Sequence, residues 1–229
     1  MRSQFISRRC FFALGGVALA SYAIGCAGLE VLMAQGDDPK IVIPIGFPEI
    51  SLGDPEAKKK VLVVYASAAG STGGAAETIG GTLARGGARV DVRRVQSSPA
   101  VDRYDAVVLG SAIHGGKWLK EASAFLDTNK ARLNQLPTAF FLMGLMVNKK
   151  SPSDQKMVEQ FLATERGLVR PVAEGRFVGA LFPGKYPGMT GFGMRFFIAY
   201  CGLGFRGGDF RNPAAIGAWA ESIIPLLIS

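Results

Sequence analysis

The stretch Val61–Ile79, VLVVYASAAGSTGGAAETI, decides how the rest of the chain is read. Val61 to Tyr65 are apolar and mostly β-branched or aromatic, which suits a strand buried on both faces. From Ala66 the side chains become small: Ser67, Ala68, Ala69, Gly70, Ser71 and Thr72. They bury little surface, so the segment reads as one that lets another group come close. The pattern then predicts a helix over 72–86, capped by Thr72 and stopped by Gly86 and Gly87.

The same alternation continues downstream. RVDVRRV (89–95) has the period of a half-exposed strand, and DAVVLGS (105–111) reads as a second buried one. A helix is expected from about Lys117 to Leu133, with Trp118, Ala122, Phe125, Leu126 and Leu133 on one stripe. TAFFLM (138–143) is the next strand. SPSD (151–154) supplies a serine N-cap, a proline at the first helical position and an acid three residues after the cap. The helix that follows groups Met157, Val158, Phe161 and Leu162 and ends near Gly167. RFVGALF (176–182) is the last strong strand. The closing helix opens at Asn212-Pro213 and carries Ile216, Trp219, Ala220, Ile223, Ile224 and Leu227 on one face.

Strands alternating with helices, several too apolar to face water, imply an α/β fold with a parallel sheet covered on both sides. Five strands fit the doubly wound order 2-1-3-4-5, in which ligands bind beyond the carboxyl ends of the strands at the switch between strands 1 and 3. The small-residue loop after strand 1 lies at that switch.

The first 26 residues have a different character. MRSQFISRRCFFALGGVALASYAIGC carries three arginines and no acid, then sixteen uncharged residues from Cys10 to Gly25. This is the charged region and apolar region of an export signal, and Arg8-Arg9 before the apolar run resembles a twin-arginine signal. AIGC (23–26) resembles a lipobox, which makes Cys26 a lipidation candidate and the alternative a cleavage further on, after Ala34. The expected site of action is therefore the periplasm or the outer face of the cytoplasmic membrane. The Pro- and Gly-punctuated residues 27–59 read as a tether in which KIVIPI (40–45) can add an edge strand. Residues 60–229 form the folded domain.

The formal net charge of the 229-residue chain is +8; without Arg2, Arg8 and Arg9 the 26 basic residues become 23 against 18 acidic, net +5. The basic residues are dispersed, so nucleic-acid binding is not expected, whereas a mild attraction to an anionic membrane is. Beyond Cys10 and Cys26 only Cys201 remains, which leaves no pair for a disulfide and no cluster for zinc or iron–sulfur.

The loop Ser67–Thr72 leads into a helix N-terminus, where free N–H groups and the dipole favour an anion. Small side chains let the amides wrap a phosphate, and Ser67, Ser71 and Thr72 add hydroxyls. This loop contains neither GxxxxGK[ST] nor GxGxxG, which argues against a P-loop nucleotidase and a dinucleotide site at this switch. A mononucleotide monoester such as FMN fits, and a plain βα turn capped by Thr72 is the alternative. In the next loop, GSAIHGGKW (110–118), Gly110, Gly115 and Gly116 permit approach to a flat ring. His114, the single histidine, is read either as a solvated residue or as a candidate catalytic contact to flavin or substrate. Trp118 belongs to the core stripe. MGLMVNKK (143–150) can close a third side.

Together, YASAAGST (65–72) and VVLGSAIHGGKW (107–118) resemble a flavodoxin-like domain, in particular the branch of menaquinone-dependent protoporphyrinogen dehydrogenases. The run from Phe177 to Trp219 is similar to that branch's extension before its last helix. The resemblance implies that Ser67, Gly70, Ser71 and Thr72 bind the FMN phosphate. It also implies that Ser111, Ala112, Ile113, His114, Gly115, Gly116 and Lys117, with Gly144, Leu145 and Asn148, frame the isoalloxazine ring. The chain departs from the family at Ala69, where a hydroxyl residue is usual, and at His114 and Gly115, where arginine and tyrosine are usual. The function implied is an exported FMN-dependent oxidoreductase or electron carrier, passing electrons between a small reduced substrate and a membrane quinone. The alternative is a flavin-free binding or scaffold module on the same fold. Lys117, Lys149 and Lys150 near the ring predict a higher reduction potential than that of an acid-rich carrier. The apolar run GMTGFGMRFFIAYCGLGF (188–205) is expected either to cover the core or to meet a membrane, with Cys201 packed as a small hydrophobe.

Overall fold

Alternate residues of the first parallel strand go to opposite sides of the sheet, and each side has its own core. The computed structural model describes residues 45–185 and 188–228. Its strands are β1 (Ile50–Leu52), β2 (Lys60–Ala66), β3 (Arg89–Arg94), β4 (Ala106–His114), β5 (Lys117–Trp118), β6 (Thr138–Met143), β7 (Ala173–Phe177), β8 (Ala180–Leu181) and β9 (Gly208–Asp209). The helices are α1 (Ser71–Arg85), α2 (Lys120–Leu133), α3 (Pro152–Gln160), α4 (Ala163–Leu168), α5 (Gly188–Tyr200) and α6 (Pro213–Leu227). Val61, Val63 and Tyr65 of β2 pack with Ile79 and Leu83 of α1 and Ile216, Ala220 and Ile223 of α6. Leu62 and Val64 face the other way, toward Ala122 and Leu126 of α2 and Val158 of α3. At roughly 1.5–3 kcal/mol for each large side chain fully buried, this two-sided burial is the main stabilising term.

The main sheet runs β1-β3-β2-β4-β6-β7, with β5 folded back onto β4. Its five parallel strands keep the expected order, and the fold is a doubly wound α/β fold of the flavodoxin-like class. The addition is β1, which pairs antiparallel with β3 at the edge. It falls on Ile50–Leu52, inside the stretch read as a tether; of KIVIPI only Ile45 is among the described residues. A buried carboxylate fastens this edge. Asp91 of β3 accepts from Ser51 Oγ and from Tyr104 Oη (2.9 Å), with Lys60 Nζ at 3.4 Å and Arg93 Nη2 at 3.2 Å.

Several element boundaries differ from expectation. α1 starts at Ser71 and is capped by Gly70 in the left-handed conformation (φ 89°), not by the Thr72 side chain. Lys117 and Trp118 pair with His114 and Ile113 as a hairpin strand, so α2 begins only at Lys120. The helix after SPSD is interrupted near Phe161 and leaves Met157 exposed, although Ser151 caps it as expected by accepting the Asp154 N–H at 3.2 Å. The last sheet strand ends at Phe177, and Ala180–Leu181 leaves to pair with β9. α6 opens as expected, with Asn212 Oδ1 accepting the Ala215 N–H at 3.1 Å.

Candidate functional site

Parallel pairing of β2, β4 and β6 brings the loops after Ala66, around His114 and after Met143 to one edge of the sheet. The register places Ala66 beside Ser111, and Ala112 beside Met143. In the first loop, Ser67 Oγ accepts the Gly70 N–H at 2.9 Å, so one expected phosphate donor also shapes the turn. The first intrahelical bond of α1 runs from the Gly74 N–H to the Gly70 carbonyl. The amides of Ser71, Thr72 and Gly73 therefore have no carbonyl of their own helix to bind. Thr72 is 0% exposed and its Oγ1 has no hydrogen-bond partner among the described residues. Leaving a buried hydroxyl unpaired costs about 1–3 kcal/mol, so a polar group that pairs with it would offset that cost. No acid lies in the first turn.

Two contacts from distant parts of the chain hold this loop. The Gly46 N–H donates to the Gly70 carbonyl, and the Ile45–Pro48 segment lies so close that a Cβ on Gly70 would stand 2.9 Å from the Gly46 nitrogen. From the far end of the chain, Arg211 Nη1 donates to the Ser71 carbonyl at 3.0 Å. The Arg211 side chain is 0% exposed and is held bidentately by Asp209, at 2.8 Å through Nε and 2.5 Å through Nη2.

The second loop is a tight hairpin. Gly115 (φ 58°) and Gly116 (φ 76°) form its two-residue turn, the left-handed pair that twists with the flanking strands. His114 and Lys117 face each other across it and are exposed. Ser111 Oγ donates to the Ala112 carbonyl at 2.9 Å and accepts the Leu119 N–H at 3.0 Å, so it locks the hairpin base. Gly110 serves the core: a Cβ there would sit 2.0 Å from the Phe141 ring. Trp118 is buried, packs edge-on against Phe140 at 5.3 Å and leaves Nε1 without a partner. Behind the hairpin, Trp118, Lys120, Ser123, Phe161 and Glu165 line a cavity of about 530 Å³.

The third loop is a short 3-10 turn, Leu145–Asn148. The Gly144 N–H donates to the Phe177 carbonyl at 3.0 Å, and a Cβ on Gly144 would lie 3.3 Å from Ile113, so loops two and three touch. Leu145 packs with Ile198 and Cys201, and Asn148 Nδ2 donates to the Cys201 carbonyl at 2.8 Å. Cys201 is buried as expected, and burial pushes its thiol pKa up.

This geometry has counterparts. The profile of the flavodoxin domain family matches residues 62–199. The chain belongs to the flavodoxin domain family. It is 28% identical over 133 residues to "Protoporphyrinogen IX dehydrogenase [quinone]" of Escherichia coli strain K12, covering 56% of this chain and 71% of that protein. Among solved structures it is similar to a flavodoxin from the domain Archaea (20% identity, 72% of this chain and 98% of that one, TM-score 0.39). It is also similar to flavodoxin 1 of Bacillus cereus (16% identity, 62% and 91%, TM-score 0.40).

For this flavodoxin domain, the expected site residues fall into two groups. Ser67, Gly70, Ser71 and Thr72 form one cradle, and Ala112 to Lys117 form the hairpin at the same end of the sheet. Ser111 and Asn148 have their side chains engaged inside the fold, and Leu145 is buried. The donor set of the cradle, the first-turn amides and a hydroxyl without partners among the described residues, fits a phosphate monoester. Arg211 escaped the sequence reading, which built the cradle from residues 67–72 alone. It lies 140 residues from Ser71, and no local pattern announces that contact.

Proposed function

We propose that this chain is an exported FMN-dependent oxidoreductase or electron-transfer protein acting at the outer face of the cytoplasmic membrane. The observation that carries the flavin assignment is the buried Thr72 hydroxyl, unpartnered among the described residues, beside the first-turn amides of α1 at the switch point of the sheet. Ser67, Ser71, Thr72 and the loop amides hold the phosphate, Gly70 gives the loop its turn, and the hairpin Ala112–Lys117 with Gly144 borders the ring. Bound FMN supplies the chemistry of accepting and donating electrons. The chain supplies position and charge: Lys117 and Lys150 have no carboxylate partner among the described residues, and Lys149 is shared with Asp154 at 3.7 Å. By analogy with the E. coli relative's name, the electron partners are a small reduced substrate and a quinone. Export rests on Arg8-Arg9 and the apolar run after them, with Cys26 the lipidation candidate; all lie outside the described residues.

Thr72→Val tests this reading, because it keeps the shape and removes only the hydroxyl. The variant should melt at the same temperature or higher, since an unsatisfied buried group is lost. Its FMN affinity, followed by fluorescence quenching, should fall about tenfold, as about 1.4 kcal/mol of charge-assisted hydrogen bonding disappears. Purified wild-type protein that neither carries flavin absorbance nor takes up FMN would instead identify a flavin-free module. FMN-loaded protein assayed with porphyrinogens and reduced quinones then assigns the electron partners.

A further inference from the structure

Helix α5 carries more apolar surface into solvent than any other described element. Met189, Phe192, Phe196, Phe197 and Tyr200 are 44–80% exposed, while only Gly191 and Ile198 of the helix are buried. Positions 189, 192, 196 and 200 recur at helical spacing and therefore form one stripe. The aromatics stack edge to face with one another: Phe192 on Phe196 at 4.8 Å, and Phe196 on Phe205 at 5.0 Å. The hydrophobic surface thus continues past the helix into the following turn. An apolar stripe of this kind on a small domain calls for a partner.

The charge around the stripe says which one. Between Pro183 and Gly208 the sequence holds Lys185, Arg195 and Arg206 and no acidic residue. Neither Arg195 nor Arg206 has a carboxylate partner among the described residues. Lys149 lies over the Tyr200 ring, 4.4 Å from its centroid, and exposed Lys150 adjoins it. A second copy of the chain docking through a two-fold axis would bring these cations against themselves. An anionic lipid surface instead takes the aromatics among its acyl chains and the cations among its headgroups.

We propose that the exposed face of α5 is a docking surface for an anionic membrane. The proposal rests on the flavin reading only for its purpose, which is to present the ring-side loop to a lipid-borne quinone. The connection is structural: Asn148 bonds the Cys201 carbonyl, Cys201 Sγ donates to Met146 Sδ at 3.7 Å, and Lys149 covers Tyr200. A membrane-seated α5 therefore carries the loop Leu145–Asn148 with it to the lipid surface. No helix among the described residues is long and apolar enough to cross a membrane, so the contact is one that lies on the surface.

The test uses the full chain and does not need flavin. Phe196→Trp places a reporter on the stripe, read against the buried Trp118 and the partly buried Trp219. With phosphatidylcholine vesicles containing one third phosphatidylglycerol, its emission should shift to the blue and be quenched by brominated acyl chains. High salt should weaken the effect. Each basic residue near an anionic surface is worth roughly fivefold in affinity, so Arg195→Glu with Arg206→Glu should reduce binding at least about 25-fold. Phe192→Ser in the Phe196→Trp protein should abolish the lipid-induced shift and quenching while leaving FMN uptake and the melting temperature unchanged. Emission unaffected by lipid overturns the proposal, even if the chain is vesicle-bound through its N-terminal segment. Emission already blue without lipid also overturns it: concentration dependence would assign the face to a second copy, and its absence to the chain's own residues 1–44. Failure of FMN uptake with lipid quenching intact would sink the flavin reading alone.

Discussion

Single atoms decide two of the assignments. On the proposed flavin reading, the Thr72 hydroxyl is a sharper probe of phosphate binding than the glycines around it. Replacing Gly70 disturbs the loop whether or not FMN binds, because the new Cβ meets the Gly46 backbone. Asp91 is the other case. Burial opposes its ionisation, but the hydroxyls of Ser51 and Tyr104 and the cations Arg93 and Lys60 outweigh this and hold its carboxyl below the usual range. Burial and the Asp91 hydrogen bond in turn push the Tyr104 phenol up to about 12. A depressed carboxyl stabilises the fold above its ordinary titration range, and the contribution is lost as pH falls through the folded value. Asp91→Asn should therefore cost about 2 kcal/mol at pH 7, and the gap between the two melting curves should close below about pH 4.

At the scale of elements, neighbouring glycines of α1 have opposite meanings. A Cβ on Gly80 would lie 2.6 Å from Val92 Cγ2, whereas one on Gly81 would meet nothing nearer than Arg85 Nη1 at 3.7 Å. Gly81→Ala should stabilise the protein by about 0.5–1 kcal/mol through helix propensity. Gly80→Ala should destabilise it by about 1 kcal/mol, since the helix must lift from β3. Thermal denaturation of the two single variants checks the pair. The five parallel strands were legible in the sequence because two-sided burial leaves unbroken apolar runs such as VLVVY and TAFFLM. The hairpin at Gly115-Gly116 was not, since Trp118 fits a helical stripe as well as it fits a strand residue packed on Phe140. Edge strand β1 escaped for a similar reason: ISL is three residues long, and its place is set by Asp91, 40 residues from Ser51. In the site, the cradle was legible from its small residues, while the inward engagement of Ser111 and Asn148 depends on contacts that composition does not encode.

For the whole molecule, three lysines bear on one edge of the sheet. Lys117 and Lys150 stand near the ring-side loops without counter-ions among the described residues, and Asp154 offsets Lys149. In FMN-loaded protein, Lys117→Glu with Lys150→Glu should lower the midpoint potential by roughly 20–40 mV, less in high salt. Potentiometric titration of both proteins at two ionic strengths measures it; identical potentials would remove these lysines from any electrostatic role. The clamp of Arg211 on Ser71 has a consequence in time. At roughly 5–20 residues per second, about 7–28 s of synthesis separate the two residues on the ribosome. The cradle is among the first parts of the domain to be translated and among the last to be finished. A nascent chain stalled before Arg211 holds every strand but lacks the brace on the Ser71 carbonyl, so on the proposed flavin reading it should take up FMN less well than the completed chain.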